Sequence, residues 1–96
     1  MIAVRQTEAF ATWLRNLRDH QARARVQIRI DRLQLGLSGD ARPVGEGVSE
    51  LRIDYGPGYR VYFMWRGREC VVLLAGGDKR TQDRDIRKAI QLAKDL

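Results

Sequence analysis

Val48-Ser-Glu-Leu-Arg-Ile-Asp54, Gly56-Pro-Gly58, Tyr59-Arg-Val-Tyr-Phe-Met-Trp65, Arg66-Gly-Arg-Glu69 and Cys70-Val-Val-Leu-Leu-Ala75 read as three consecutive strands joined by two short turns. In the first strand Glu50, Arg52 and Asp54 alternate with Leu51 and Ile53, a period of two that gives one apolar face. Gly56-Pro57-Gly58 fixes φ at the proline and frees it on either side, which ends the strand and reverses the chain. The second strand sets Val61, Phe63 and Trp65 on one face and Arg60, Tyr62 and Met64 on the other.

Working outward, Ile2, Val4, Arg5 and Gln6 form a short alternating segment that predicts an edge strand joined to the later three. Thr7 is placed as an N-cap, followed by Phe10, Trp13, Leu14 and Leu17 at helical spacing. Asp19 caps a second helix whose inner stripe is Val26, Ile30, Leu33 and Leu37, broadened by Ile28 and Leu35. Its outer face is Gln21, Arg23, Arg25, Arg29, Asp31 and Arg32, and Gly36 and Gly39 stop it. The segment from Ser38 to Gly47 reads as the one real loop. After the strands, Gly76-Gly77-Asp78-Lys79-Arg80 leads to Thr81, the N-cap of a last helix with Ile86, Ala89, Ile90, Ala93 and Leu96 inward.

The predicted order is β-α-α-β-β-β-α, an α+β fold in a single domain spanning residues 1–96. A helical hairpin covers one face of an antiparallel-rich sheet, because an apolar sheet face must be buried against another layer. The opposite face, with Arg52 and Arg60, is expected to be an open, shallow concave surface.

With 44% hydrophobic and 31% charged residues the chain has the composition of a folded domain. Its longest apolar run, Cys70 to Ala75, falls far short of the ~20 residues a spanning helix needs, so no membrane association is expected. The N-terminus lacks the pattern of an export signal and the chain has one cysteine, read as an inert core thiol; together these predict a cytoplasmic location. The net charge of +6 points to a polyanionic partner. Residues 1–40 carry seven Arg against four acids and residues 41–96 eleven Arg and Lys against eight, so no basic tail accounts for the excess.

One histidine, His20 between two helices, and one cysteine give no metal-ligand cluster, and no cofactor motif is present. Gly76-Gly77 precede a helix start and could help hold a phosphate, without matching a Walker or dinucleotide pattern. The remaining candidates are Arg52, Arg60, Lys79 and Arg80, with Tyr55, Tyr59 or Tyr62 among them. If the strands are neighbours these cations converge at one edge of the sheet, where preorganised donors would stabilise a phosphorane-like transition state. The same cations read equally well as surface groups paired with Glu50, Asp54 and Asp78.

The run from Gly47 to Phe63, with Leu74-Ala-Gly-Gly-Asp-Lys79 and Asp85-Ile-Arg-Lys-Ala89, resembles the RelE/ParE superfamily of toxins, and within it the HigB-like, phage Gp49-like "addiction module killer" branch. The resemblance covers nearly the whole chain. It implies a type II toxin held inactive in a hetero-oligomer by a cognate antitoxin, often a helix-turn-helix repressor. RelE-like members cut mRNA in the ribosomal A site, whereas ParE-like members inhibit DNA gyrase. On this resemblance Arg60 matches the arginine that contacts the scissile phosphate, Arg52 a basic residue on the preceding strand, and Lys79 or Arg80 the basic position after the last strand. The base-stacking tyrosine of RelE has no counterpart between Thr81 and Ile86, and the histidines of some HigB proteins are missing. The expected function is a ribosome-dependent endoribonuclease that uses the RNA 2′-hydroxyl as nucleophile, without a cofactor. The alternatives are a gyrase inhibitor without nuclease activity and a non-catalytic RNA-binding module.

Overall fold

Five strands, one more than the sequence predicts, form the central sheet in the computed structural model, which describes all 96 residues from Met1 to Leu96. The strands are β1 (Ala3–Gln6), β2 (Ala41–Gly45), β3 (Val48–Ile53), β4 (Tyr59–Arg66) and β5 (Cys70–Asp78), and the helices are α1 (Glu8–Arg15), α2 (His20–Gln34) and α3 (Gln82–Lys94). A single 3₁₀ turn, Lys79–Thr81, connects β5 to α3. The sheet order is β1-β5-β4-β3-β2, with β1 parallel to β5 and every other pair antiparallel. The chain is thus one α+β domain, and the edge strand expected at Ile2 to Gln6 is present.

The added strand lies inside the segment read as a loop. Pro43 argues against a strand from sequence, but an edge strand tolerates a missing donor, and the ladder shifts register between Pro43 and Gly45. Glu46 and Gly47 both have positive φ, 52° and 81°, as a two-residue hairpin turn demands.

Both sheet faces are covered. On the hairpin side, Phe10 of α1 and Val26, Ile30 and Leu33 of α2 pack on Leu51, Ile53, Val61, Phe63, Val71 and Leu73. Thr7 caps α1 by accepting from the Phe10 N–H, and Asp19 caps α2 through the N–H groups of Gln21 and Ala22. On the other face Val48, Tyr62, Val72, Leu74 and Ala75 meet Ala89, with Ile86, Ile90 and Ala93 partly buried beside it. The open concave face expected from sequence is therefore largely closed by α3, because that face is itself apolar over most of its length. The two faces stay distinct through an irregularity in β5, where Tyr62 pairs with Ala75 but Phe63 with Leu73.

Several inward assignments are corrected. Ile28, Leu35, Leu37, Trp65 and Leu96 are exposed. The helix α2 ends at Gln34 and Gly36 takes a φ of 80°, so Leu35 and Leu37 lie past the stripe that would have buried them. Arg29, assigned outward, turns inward and donates to the backbone carbonyls of Ser38, Asp40 and Arg52, which fastens the β2 approach to the sheet.

Gly76 and Gly77 serve packing. A Cβ on Gly76 would enter the Trp13 ring, and one on Gly77 would collide with the Asp85 carboxylate. Gly76→Ala is expected to destabilise the protein by about 1–3 kcal/mol, the usual cost of overpacking, measured by urea unfolding. An unchanged midpoint would show that Trp13 moves aside freely.

Candidate functional site

Antiparallel pairing sets the site. Arg52 of β3 lies directly opposite Arg60 of β4, and Arg60 opposite Gly77 of β5, so two arginines share a row with a residue that has no side chain. The row faces the α3 side but lies beyond the apolar rows that the helix covers. Here Asp40, Arg52, Asp54, Arg60 and Lys79 line a cleft of about 470 Å³, floored by the Gly56-Pro57-Gly58 turn. Gly58 has a φ of 80°, and a Cβ there would lie 3.4 Å from Lys79 Cβ and 3.5 Å from Arg60 Nη1, so the turn lets both cations close in on it.

Each cation is held differently. Arg52 donates through Nε and Nη2 to Asp40 Oδ1, at 3.2 and 2.9 Å, and both side chains are well exposed. Arg60 is far less accessible, with 12% of its side chain exposed. Its Nη1 donates to the carbonyls of Gly58 and Tyr59, each at 3.2 Å. Its Nε is buried, lies 3.8 Å from Glu50 Oε1 and has no hydrogen-bond acceptor. Lys79 is exposed and forms no ion pair, at the start of the 3₁₀ turn.

Three of the four expected cations, Arg52, Arg60 and Lys79, thus meet in one cleft. Arg80 lies in an adjoining groove with Arg84 and Arg87, to which Lys79 also contributes. It is engaged with Asp78 through Nη2 at 2.9 Å, and Asp78 also accepts from the Arg80 N–H. Hydrogen bonding from Arg80 holds the Asp78 carboxyl below its ordinary value, and the same contact raises Arg80.

The pairing with Glu50 and Asp78 read from sequence is present, but Arg52 takes Asp40 in place of Asp54, which forms no ion pair. None of the three tyrosines lines the cleft. Tyr55 donates to Asp19, Tyr59 packs edge-on to Trp13, and Tyr62 is fully buried. Burial, together with the adjacent Glu50 charge, pushes the Tyr62 phenol far above its ordinary value and keeps it neutral. Sequence reasoning missed Asp40, hidden in the presumed loop, and the burial of Glu50, which it read as a surface partner. The signal for Asp40 was the Gly-Glu-Gly turn at Gly45 to Gly47, which marks a hairpin and brings the preceding segment back along β3.

The structure is thus a small basic α+β domain with two arginines of a strand pair, and a lysine just after the last strand, around one cleft at the end of a helix-covered sheet. Residues 12–96 match the family described as Phage derived protein Gp49-like, and the chain belongs to that family. An uncharacterized protein of Haemophilus influenzae is 47% identical over 95 residues, covering 99% of this chain and 96% of the relative. The family is associated with the toxins of toxin–antitoxin pairs. No helix of the structure is long and apolar enough to cross a membrane.

Proposed function

We propose that the protein is the toxin of a type II toxin–antitoxin pair and that it cuts mRNA on the translating ribosome. The observation that supports this reading is the meeting of Arg52, Arg60 and Lys79, from three separate elements, around a cleft of a size to admit a phosphodiester. In the proposed reaction the RNA 2′-oxygen attacks the adjacent phosphorus and the bond to the 5′-oxygen breaks, leaving a cyclic phosphate and a free 5′-hydroxyl. Negative charge grows on the non-bridging oxygens as this happens. Cations fixed beforehand stabilise that charge more than they stabilise the ground state.

The cleft supplies charge more than proton transfer. His20 opens α2 and lies outside it, Asp40 is tied to Arg52, and Asp54 is the one cleft carboxylate without an ion pair, so no acid–base pair is assembled there. The ribosome is therefore expected to impose the in-line RNA geometry that this protein does not build for itself. Purified protein should leave naked RNA almost intact and cut mRNA in translating ribosomes. Rapid, sequence-selective cutting of naked RNA would overturn the ribosome requirement. In an induced bacterium, mRNA 5′ ends phased with codons support the nuclease reading, and DNA double-strand breaks with intact mRNA would replace it with gyrase inhibition.

A further inference from the structure

A carboxylate with no exposed surface lies beneath this cleft. Glu50, in the middle of β3, has a relative exposure of 0% and is met by four side chains from three elements. Its Oε2 accepts from the Tyr62 hydroxyl of β4 at 3.1 Å and from Gln82 Nε2 of α3 at 2.7 Å. Its Oε1 faces Arg42 Nε of β2 at 3.4 Å and Arg60 Nε at 3.8 Å.

Packing alone does not call for an acid in this place. Removing a carboxylate from water is costly, and a whole buried ion pair can often be replaced by apolar side chains of similar volume, whereas removing one partner leaves the others uncompensated. The α3 face around Glu50 is apolar at Val48, Val72 and Leu74, and the polar groups there, the Tyr62 hydroxyl, Gln82, Arg42 and Arg60, all meet at its carboxylate. An apolar residue would leave the Tyr62 hydroxyl and Gln82 without their acceptor, and it would also leave Arg60 without an anion. Arg60 lies opposite a second cation, Arg52, in the register of the strand pair, and like charges so placed repel. Two carbonyls hold the Arg60 Nη1, and Glu50 is the anion facing its otherwise unpartnered Nε. At 3.8 Å the contact is Coulombic, longer than a hydrogen bond, so it steers the group while leaving Nη2 uncommitted. Through Gln82, the first residue of α3, Glu50 also anchors the end of the turn that begins at Lys79.

We propose that Glu50 is a positioning residue: one buried carboxylate that orients Arg60 from below and ties the Lys79 turn to the same point, so that both cations present their free donors to a phosphate in the cleft. This inference rests on the nuclease reading for its consequence in rate, but its structural content does not depend on that reading.

The test uses the full-length protein and three variants, Glu50→Gln, Glu50→Met and Arg60→Ala. Glutamine keeps an acceptor for Tyr62 and Gln82 while removing the charge that faces Arg60, and methionine fills the space without polarity. On programmed ribosomes Glu50→Gln should lower the single-turnover cleavage rate by about 10-fold or more, with affinity for a 2′-deoxy-substituted mRNA changed less than about 3-fold. In an Arg60→Ala background the same substitution should change the rate by less than about 2-fold, because the residue through which it acts is gone. Equal losses in both backgrounds would mean that Glu50 serves the fold alone, and no loss would mean that it serves nothing in the site. Glu50→Met, if folded by its urea transition, should show at least the same loss of rate, and full activity there would overturn the proposal. Hydrogen exchange at Arg60 Nε–H, followed by NMR without any RNA, should be faster in Glu50→Gln than in the parent. If the parent protein cuts no mRNA on ribosomes the nuclease reading fails, while the exchange measurement still decides the orientation of Arg60: an unchanged rate refutes it and an accelerated one sustains it.

Discussion

Arg60→Ala is expected to lower ribosome-dependent mRNA cleavage by about 10²-fold or more, the loss seen when one preorganised donor is removed from a developing oxyanion. From sequence alone this change looks harmless to the fold, since it opens no apolar cavity. The structure adds a consequence, because Arg60 is one of two cations facing the buried Glu50. Arg42, Tyr62 and Gln82 remain to compensate that carboxylate, so a loss of stability of about 0.5–3 kcal/mol is expected rather than unfolding. Urea unfolding of the purified variant establishes the folded fraction, and single-turnover cleavage is then compared at equal folded concentration. A folded Arg60→Ala protein that cuts mRNA at the parental rate, or arrests growth as the parent does, would remove the arginine-centred mechanism.

The contrast with Arg52 follows from exposure. Arg52 is open to solvent and already engaged with Asp40, so an incoming phosphate must compete with an existing partner. Arg60 has no competing hydrogen bond to an acid, only the more distant Glu50. It therefore carries more of the expected transition-state stabilisation, although both residues occupy the same row of the sheet.

What could be read from the sequence was whatever depends on local period. Alternation in Val48 to Ile53 and Tyr59 to Phe63 marked β3 and β4 and, through them, the pairing that brings Arg52 opposite Arg60. The caps at Thr7 and Asp19 were visible because a short polar side chain before an apolar stripe has a local cause. Thr81 fits that pattern too, yet it makes no capping bond. Its hydroxyl donates to Asp85, whose carboxylate fills the space left by Gly77. What the sequence hid depends on packing between distant segments. Glu50 alternates with Leu51 like a solvent-facing residue, and only the placement of α3 over that face buries it. The strand β2 escaped notice because Pro43 breaks its local pattern, and its pairing with β3 carries Asp40 to the cleft. Arg80 was grouped with Lys79 by adjacency, but across the tight 3₁₀ turn Arg80 pairs with Asp78 while Lys79 lines the cleft without an ion pair.

Phe63→Ala should give the reverse of the Arg60 result. Phe63 is 1% exposed, on the hairpin face of β4 among Phe10, Val26, Leu51, Val61 and Leu73. Truncation removes an aromatic ring from a layer whose walls are two helices and three strands, which cannot all collapse into the gap, so a cost of about 3–5 kcal/mol is expected. For a small domain with a total stability of roughly 5–15 kcal/mol, that is a large share, enough to lower abundance in the cell. Growth arrest should therefore weaken at 37 °C through loss of folded protein and recover on induction at lower temperature. Purified variant kept cold should cleave at nearly the parental rate per folded molecule, because Phe63 faces away from the row that holds Arg52 and Arg60. A variant with parental thermal stability would show that this layer relaxes to fill the cavity. A stable, folded variant with a large loss of rate would show instead that the hairpin face governs the cleft, and the separation of core from site across this sheet would have to be abandoned.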